Sequence, residues 1–302
     1  MVDKASPAPK VVSLKRDSDV RHESLYTRSL RTFLRNRVAV TGLIVLLLIV
    51  LASIFARALT TTNPIAINSK DRLKPPSEQY VMGTDELGRD ILTRVLYGGQ
   101  ISLQVGAFSI ALAAIVGVPL GLAAGYFGGK VDNWIMRVMD LILAFPGLIL
   151  VIWLVGLLGP NLYNVIVAIA VFSLPTYSRL TRGVTLSIRG TDYVLAAQSM
   201  GAQPLRIMFA HILPNILGSL IVVTTLSVSD AIITGASLSF LGLGVRPPTA
   251  EWGAMLADGR SYLRNAWWIA TFPGMTITLV VLAFNVVGDG LRDAFDPNMI
   301  SR

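Results

Sequence analysis

Cysteine is absent from the 302 residues, and histidine occurs only twice, at His22 and His211. Without thiols there is no disulfide framework, no thiolate nucleophile and no Cys-ligated metal. Two histidines so far apart in sequence do not form a helical zinc pair, and no Gly-x-Ser-x-Gly elbow occurs. A phosphate-binding loop is also missing. Around Gly129-Lys130 its earlier glycine position holds Ala124, and Val131 stands where Ser or Thr is required. Charge is scarce as well: 15% of residues are Asp, Glu, Lys or Arg, against about 25% in soluble domains. A soluble globular enzyme and a disordered chain are both excluded, because the apolar residues, 53% of the total, come in long uninterrupted runs.

Those runs organise the chain. Residues Met1 to Arg37 are polar, with nine Lys or Arg, too long and too charged for a cleaved signal. The run Val38 to Ala56 is uncharged and long enough to cross hydrocarbon. This predicts a tail over 1–37, a first anchor over 58's near side (38–57), and an extramembrane segment over 58–94. Residues 95–302 hold five more predicted spans. They lie near Ile101 to Tyr126, Asn133 to Leu158, Leu162 to Tyr177, Asn215 to Ala236 (interrupted by Asp230) and Ala266 to Val287. Gly159-Pro160-Asn161 supplies the turn that divides the third span from the fourth. The expected fold class is thus all-α and polytopic, with six transmembrane helices.

Six crossings put both termini on one side. That side collects 17 of the 26 Lys and Arg residues, so the positive-inside bias predicts that both termini are cytoplasmic. The net charge of +8 is placed beside the spans, which speaks against nucleic-acid binding.

Within the spans, Ser109, Ala113, Gly117, Gly121 and Gly125 recur every four residues. They form a face without bulk, suited to close helix packing or to sliding during gating. Asp230 is a carboxylate inside a span, where exposure to lipid is costly. With Ser227 and Thr234 near its face, it either lines a translocation pathway or makes a buried structural hydrogen bond. Phe240 to Trp252 is apolar, Gly-rich and without period. It reads as a loop dipping into the outer mouth, with Phe240, Leu241 and Trp252 as gate or docking residues.

The segment 191–214 is the most informative. Thr191 or Asp192 can cap a helix, and Tyr193, Ala197 and Met200 then share a face at i, i+4 and i+7. Gly201 can end that helix in a left-handed cap, and Pro204 suits the first turn of the next. The pair Ala196-Ala197 lets the short helix lie close to a partner.

Leu195-Ala196-Ala197, three residues, Gly201, then His211-Ile212-Leu213-Pro214 resembles the EAA loop of ABC-importer permeases. Leu195 stands in place of the Glu, and His211 in place of the first Ile. The stretches Gly83 to Asp90, Ser239 to Gly244, Pro247 to Gly253 and Gly288 to Asp293 also resemble the C-type permease subunit of dipeptide and oligopeptide ABC importers. The match runs from about Arg28 onward.

The resemblance implies a type I ABC importer permease fold and a subunit that forms half of a translocation pathway in a bacterial or archaeal cytoplasmic membrane, surrounded by lipid. Such a subunit is no enzyme and holds no cofactor; ATP and Mg belong to partner ATPases. The implied partners are a B-type permease, two ATPase subunits and an extracytoplasmic substrate-binding protein. Asp192, Tyr193, Leu195, Ala196, Ala197, Met200, Gly201, Leu213 and Pro214 become the expected ATPase-coupling residues. Similar subunits serve peptides, glutathione, nickel and some oligosaccharides, so the cargo stays open. The competing reading is a self-contained channel or secondary transporter, for which Asp230 would serve as an ion relay.

Overall fold

A computed structural model describes residues 25–295 of the chain. The tail before residue 25 and the last residues, Arg302 among them, lie outside the described residues. The described residues are helical, joined by turns, with one isolated bridge between Thr84 and Asp90.

Helix α1 (Leu25–Arg35) is separated from α2 (Arg37–Ile54) by Asn36 alone. Asn36 has extended backbone, and its side-chain oxygen accepts from the N–H groups of Val38 and Ala39. It thereby ends one helix and caps the next. After the short α3 (Ala56–Leu59), the chain is irregular to Asp90 except for a 3₁₀ turn over Ser69–Asp71.

Helix α4 (Ile91–Phe127) is 37 residues long, about 55 Å at 1.5 Å per residue. It starts ten residues before the expected Ile101. The cause is Asp90, whose carboxylate accepts from the Thr93 N–H at 2.9 Å, so the helix begins outside the apolar run.

The third span is not one continuous helix. It consists of α5 (Gly129–Leu143) and α6 (Gly147–Leu158), bent by 90° across residues 144–146. Pro146 cannot donate to a helical ladder and biases Phe145 away from helical backbone. Five helices are long and apolar enough to cross a membrane, and the bent pair makes a sixth span.

Helix α7 (Leu162–Ile188) is capped by Asn161 and runs eleven residues past the expected Tyr177. The arginines there were read as a loop, but they are paired. Arg182 Nη2 donates to Asp132 at 2.6 Å, Arg179 to Asp140 at 2.5 Å, and Arg189 to the Gly125 carbonyl at 3.1 Å. Then follow α8 (Asp192–Ser199), the one-turn α9 (Pro204–Arg206), a π-helical turn over Ile207–Ile212, and α10 (Leu213–Phe240). A loop leads to α11 (Trp252–Gly259), a 3₁₀ turn over Arg260–Tyr262, and α12 (Trp268–Phe295).

The α4–α7 seam is a packed contact. A Cβ on Gly121 would sit 2.4 Å from the Ser178 carbonyl oxygen, and one on Gly125 2.6 Å from Thr185 Cβ. Ser178 Oγ donates to the Gly117 carbonyl at 3.2 Å, and Tyr177 is fully buried beside it. Small residues here bring two backbones together so that van der Waals contact accumulates.

Two ends of the bundle can now be distinguished. One carries α1, the end of α12, α8 and the start of α10: Phe33 packs near Gly290, and Phe295 lies beside Gly218. The far end carries residues 60–90, α11 and the start of α12, joined through a second apolar cluster of Ile91, Val95, Met255, Trp268 and Ile269. Gly288 to Asp293, expected as the exit of the last helix, lies inside α12, where Gly288 and Gly290 take Leu226 and Ala39 in close contact.

Candidate functional site

The loop between α7 and α10 is built as the sequence suggested, with two corrections. Thr191 has the extended backbone of a cap, but its hydroxyl donates backward to the Ile188 carbonyl at 2.7 Å. It therefore caps no N–H, and Asp192 in the first turn offsets the helix dipole instead. The second correction concerns the face. Val194 and Ala197 are buried, whereas Tyr193, Leu195, Ala196 and Met200 face outward, Met200 being 82% exposed. The inward pair is i, i+3; the expected Tyr193–Ala197–Met200 stripe is split between inside and outside.

The helix ends as expected. Gly201 has φ +79°, the left-handed region open to glycine. Its N–H donates to the Gln198 carbonyl, and the Ala202 N–H donates to the Ala197 carbonyl. That pair of bonds is a Schellman end. Pro204 opens α9. Further on, Pro214 has no N–H to continue the ladder, and the Leu213 N–H reaches back five residues to the Met208 carbonyl. The π turn follows from that displaced bond. Leu213 and Pro214 thus form a joint at the start of α10. Asn215 Nδ2 donates to Tyr193 Oη at 3.3 Å and to the His211 carbonyl at 2.7 Å, tying α8 to α10.

Leu205 and Phe209 are also exposed on this loop and were missed. Their signal was present: two apolar residues four apart in a segment that otherwise read as polar. Together with Leu195 and Met200 they give the loop an uncovered apolar surface, carried on a frame of buried Val194, Ile207 and Ile212.

On α10, Asp230 is exposed, with Ser227 and Thr234 half-buried on nearby turns. Thr234 Oγ1 donates to the Asp230 carbonyl at 2.8 Å, an intrahelical bond. The buried-hydrogen-bond alternative for Asp230 is therefore not what the structure shows; its side chain lies open on the helix surface. One turn toward the far end begins an open groove of about 400 Å³, lined by Ile233, Ala236, Ser237, Phe240, Leu241, Leu256 and Ile277. Phe240 and Leu241 line it as expected residues of an outer mouth.

Trp252 does not. It is fully buried, and its indole N–H donates to the Val95 carbonyl at 2.8 Å. Beside it, the buried Glu251 carboxylate accepts from the N–H groups of Gly253 and Ala254 at 3.0 and 2.8 Å and from Ser102 Oγ at 3.0 Å. Trp252 therefore anchors α11 to α4 and cannot present a docking surface. The physical reason is Gly98 and Gly99, which leave room for its ring.

The far end also holds a buried charge network. Asp85 accepts from the Arg89 N–H at 2.9 Å and from Arg89 Nε at 2.5 Å, with Arg94 Nε 3.5 Å away. Arg89 Nη2 donates to Glu86 at 2.9 Å. Burial, with Asp85 close by, pushes the Glu86 carboxyl above its ordinary pKa.

Among the described residues no group of three or more His, Cys, Asp or Glu is placed to hold a metal ion. Neither the loop nor the groove brings together a nucleophile and a base. What the arrangement offers is a docking surface on a rigid frame and an open helix face with one carboxylate.

Comparison with known proteins gives the following. Residues 117–301 match the family described as binding-protein-dependent transport system inner membrane component. Residues 24–76 match the N-terminal TM domain of oligopeptide transport permease C. The chain is 46% identical over 267 residues to the dipeptide transport system permease protein DppC of Alkalihalophilus pseudofirmus, covering 88% of each. It is 46% identical to the di/tripeptide permease DppC of Pseudomonas aeruginosa, covering 89% of this chain and 91% of the other. It is 48% identical to the glutathione permease GsiD of Pectobacterium atrosepticum, covering 90% of each. Among solved structures, the inward-facing MetNI methionine ABC transporter aligns with a TM-score of 0.54 at 20% identity, over 67% of this chain and 96% of that one; this shows the shared fold.

Proposed function

The chain belongs to the binding-protein-dependent transport system inner membrane component family, a multi-pass permease subunit and not an enzyme, and we propose that its cargo is dipeptides and short oligopeptides. The cargo reading is supported by the relatives that carry dipeptides and di/tripeptides. The glutathione relative favours a second reading, a γ-linked tripeptide of similar size.

In the proposed assembly this chain pairs with a B-type permease in a bacterial or archaeal cytoplasmic membrane, with both termini cytoplasmic. Two ATPase subunits, holding ATP and Mg, dock on the loop at 191–214. A substrate-binding protein delivers cargo from the other side. The observation that carries this reading is α8: an apolar surface at Leu195 and Met200, uncovered in the chain, on a helix bonded into α10 through Asn215. ATP-driven closure of the ATPases moves α8, and α7 and α10 move with it. Because coupling is differential stabilisation of two states, the α8 contacts must differ between them. Ser227, Asp230 and Thr234 then face the pathway, and Phe240 and Leu241 its outer mouth.

The test is reconstitution of the chain with its partners in liposomes. Uptake of a radiolabelled dipeptide is expected only with ATP, both permeases, the ATPases and the binding protein together. Uptake by the chain alone would sink the assembly and support the channel or secondary-transporter reading. ATP-dependent uptake of glutathione without dipeptide uptake would keep the assembly and replace the cargo.

A further inference from the structure

Helix α1 has three sectors. Ser29 and Phe33 are buried, Phe33 lying against Gly290 of α12. On the 100° helical wheel the next sector holds Leu30 and Leu34, each 58% exposed. The third holds Arg31 and Arg35, one turn apart. The single linking residue, Asn36, leaves α1 no reach away from the start of α2. Since α2 crosses the bilayer and begins with exposed Arg37, α1 is confined to the membrane surface.

The uncovered apolar sector is continuous with a lipid-facing one. Val38, Leu48 and Leu51 of α2 are exposed, in a helix of the highest hydropathy among the spans. An apolar strip leading into the acyl region, bordered by cationic side chains, is the arrangement of an interfacial helix. Its charge complements anionic headgroups, which attract basic residues placed immediately beside a span.

We propose that α1 is a membrane-surface anchor that binds anionic phospholipid headgroups through Arg31, Arg35 and Arg37, with Leu30 and Leu34 set into the acyl boundary. Through Phe33 and Gly290 the anchor also fixes the end of α12. The occupant is lipid and not protein because the strip continues the surface of a span.

The absence of native cysteine makes the test clean. Leu34→Cys and, separately, Leu48→Cys are labelled with an environment-sensitive fluorophore in the assembled transporter. The transporter is reconstituted in phosphatidylcholine bilayers with and without phosphatidylglycerol, with brominated acyl chains as quencher. Quenching at position 48 is expected in both bilayers. Quenching at position 34 is expected to rise with phosphatidylglycerol and to fall at high salt. Arg31→Gln, Arg35→Gln and Arg37→Gln combined should weaken the preference for anionic lipid about tenfold while leaving position 48 quenched.

Two results overturn the proposal. One is quenching at 48 with none at 34, which places α1 under protein or in water. The other is quenching at 34 that ignores both phosphatidylglycerol and the arginine changes. Loss of quenching at 48 would instead strike the span assignment on which the proposal rests.

Discussion

The two ends of the bundle solve different problems with similar materials. At the far end, Asp85, Arg89, Arg94 and Glu251 are buried yet paired, and Trp252 and Trp268 donate indole N–H groups to the carbonyls of Val95 and Thr84. That end is finished within the chain. At the α8 end, large apolar side chains stand in the open: Leu195, Met200, Leu205 and Phe209. Burying charge without a partner is costly, and leaving an apolar patch exposed is also unfavourable. One cost has been met internally. The other is met by something that covers α8. Stability should therefore be concentrated at the far end, and coupling at the α8 end.

The sharpest way to break this contrast is Asp85→Ala. It would leave Arg89 and Arg94 as buried cations without their carboxylate, a loss of about 3–5 kcal/mol. Thermal unfolding in detergent should show a large drop and poor accumulation in membranes. An unchanged melting temperature would mean that the network is not what holds the far end. Next in size is Gly201→Ala. At φ +79° a side chain is strained, and the expected loss is about 1–2 kcal/mol, with α8 frayed at its end. The same melting assay checks it; a variant as stable as wild type would remove the left-handed end from the account.

How much of this could be read beforehand divides along the same line. Local signals were legible. Asn36, Gly201 and Pro204 act through bonds to residues a few positions away, and the α8 loop came out of the sequence with its turn intact. The six spans were legible because hydrocarbon demands uninterrupted apolar length. What escaped depended on distant partners. Trp252 looks like a loop aromatic until Gly98 and Gly99, some 150 positions earlier, make room for it. The arginines of α7 look like a loop until Asp132 and Asp140 meet them. The rotation of α8 was missed for a related reason. Tyr193 and Met200 are apolar enough to be core, and only the packed surroundings show Val194 and Ala197 inside and those two outside.

A smaller effect tests the electrostatics of the far end. The Glu86 carboxyl is held above its ordinary pKa, chiefly by burial. A carboxyl whose folded-state pKa is raised binds its proton more tightly when folded. Its contribution is therefore most favourable below the ordinary value, is lost as pH climbs from there to the raised value, and is constant above it. This is opposite to the usual salt-bridged carboxylate. Glu86→Gln keeps an acceptor for Arg89 and removes the titration. Melting temperatures across about pH 4 to 8 should show wild type losing ground to Glu86→Gln as pH rises. Parallel curves would show that Glu86 is as well solvated folded as unfolded.

The smallest stability effect belongs to the α8 surface, and it discriminates most sharply. Leu195→Ser combined with Met200→Ser touches two exposed side chains and leaves buried Val194 and Ala197 in place. Exposed substitutions of this kind change stability by no more than about 0.5 kcal/mol, so the melting temperature should stay at the wild-type value. Uptake and binding-protein-stimulated ATP hydrolysis in the reconstituted assembly should nevertheless fall, because the lost apolar area is the area a partner covers. Ala197→Trp is a poorer probe: a bulky ring in a buried position would disturb the frame itself, and lost uptake would follow from misfolding as readily as from uncoupling. If the double serine variant melts and transports like wild type, α8 is merely an exposed loop helix. If it melts normally and transports nothing, the contrast holds: the far end keeps the chain folded, and the α8 end connects it to the source of energy.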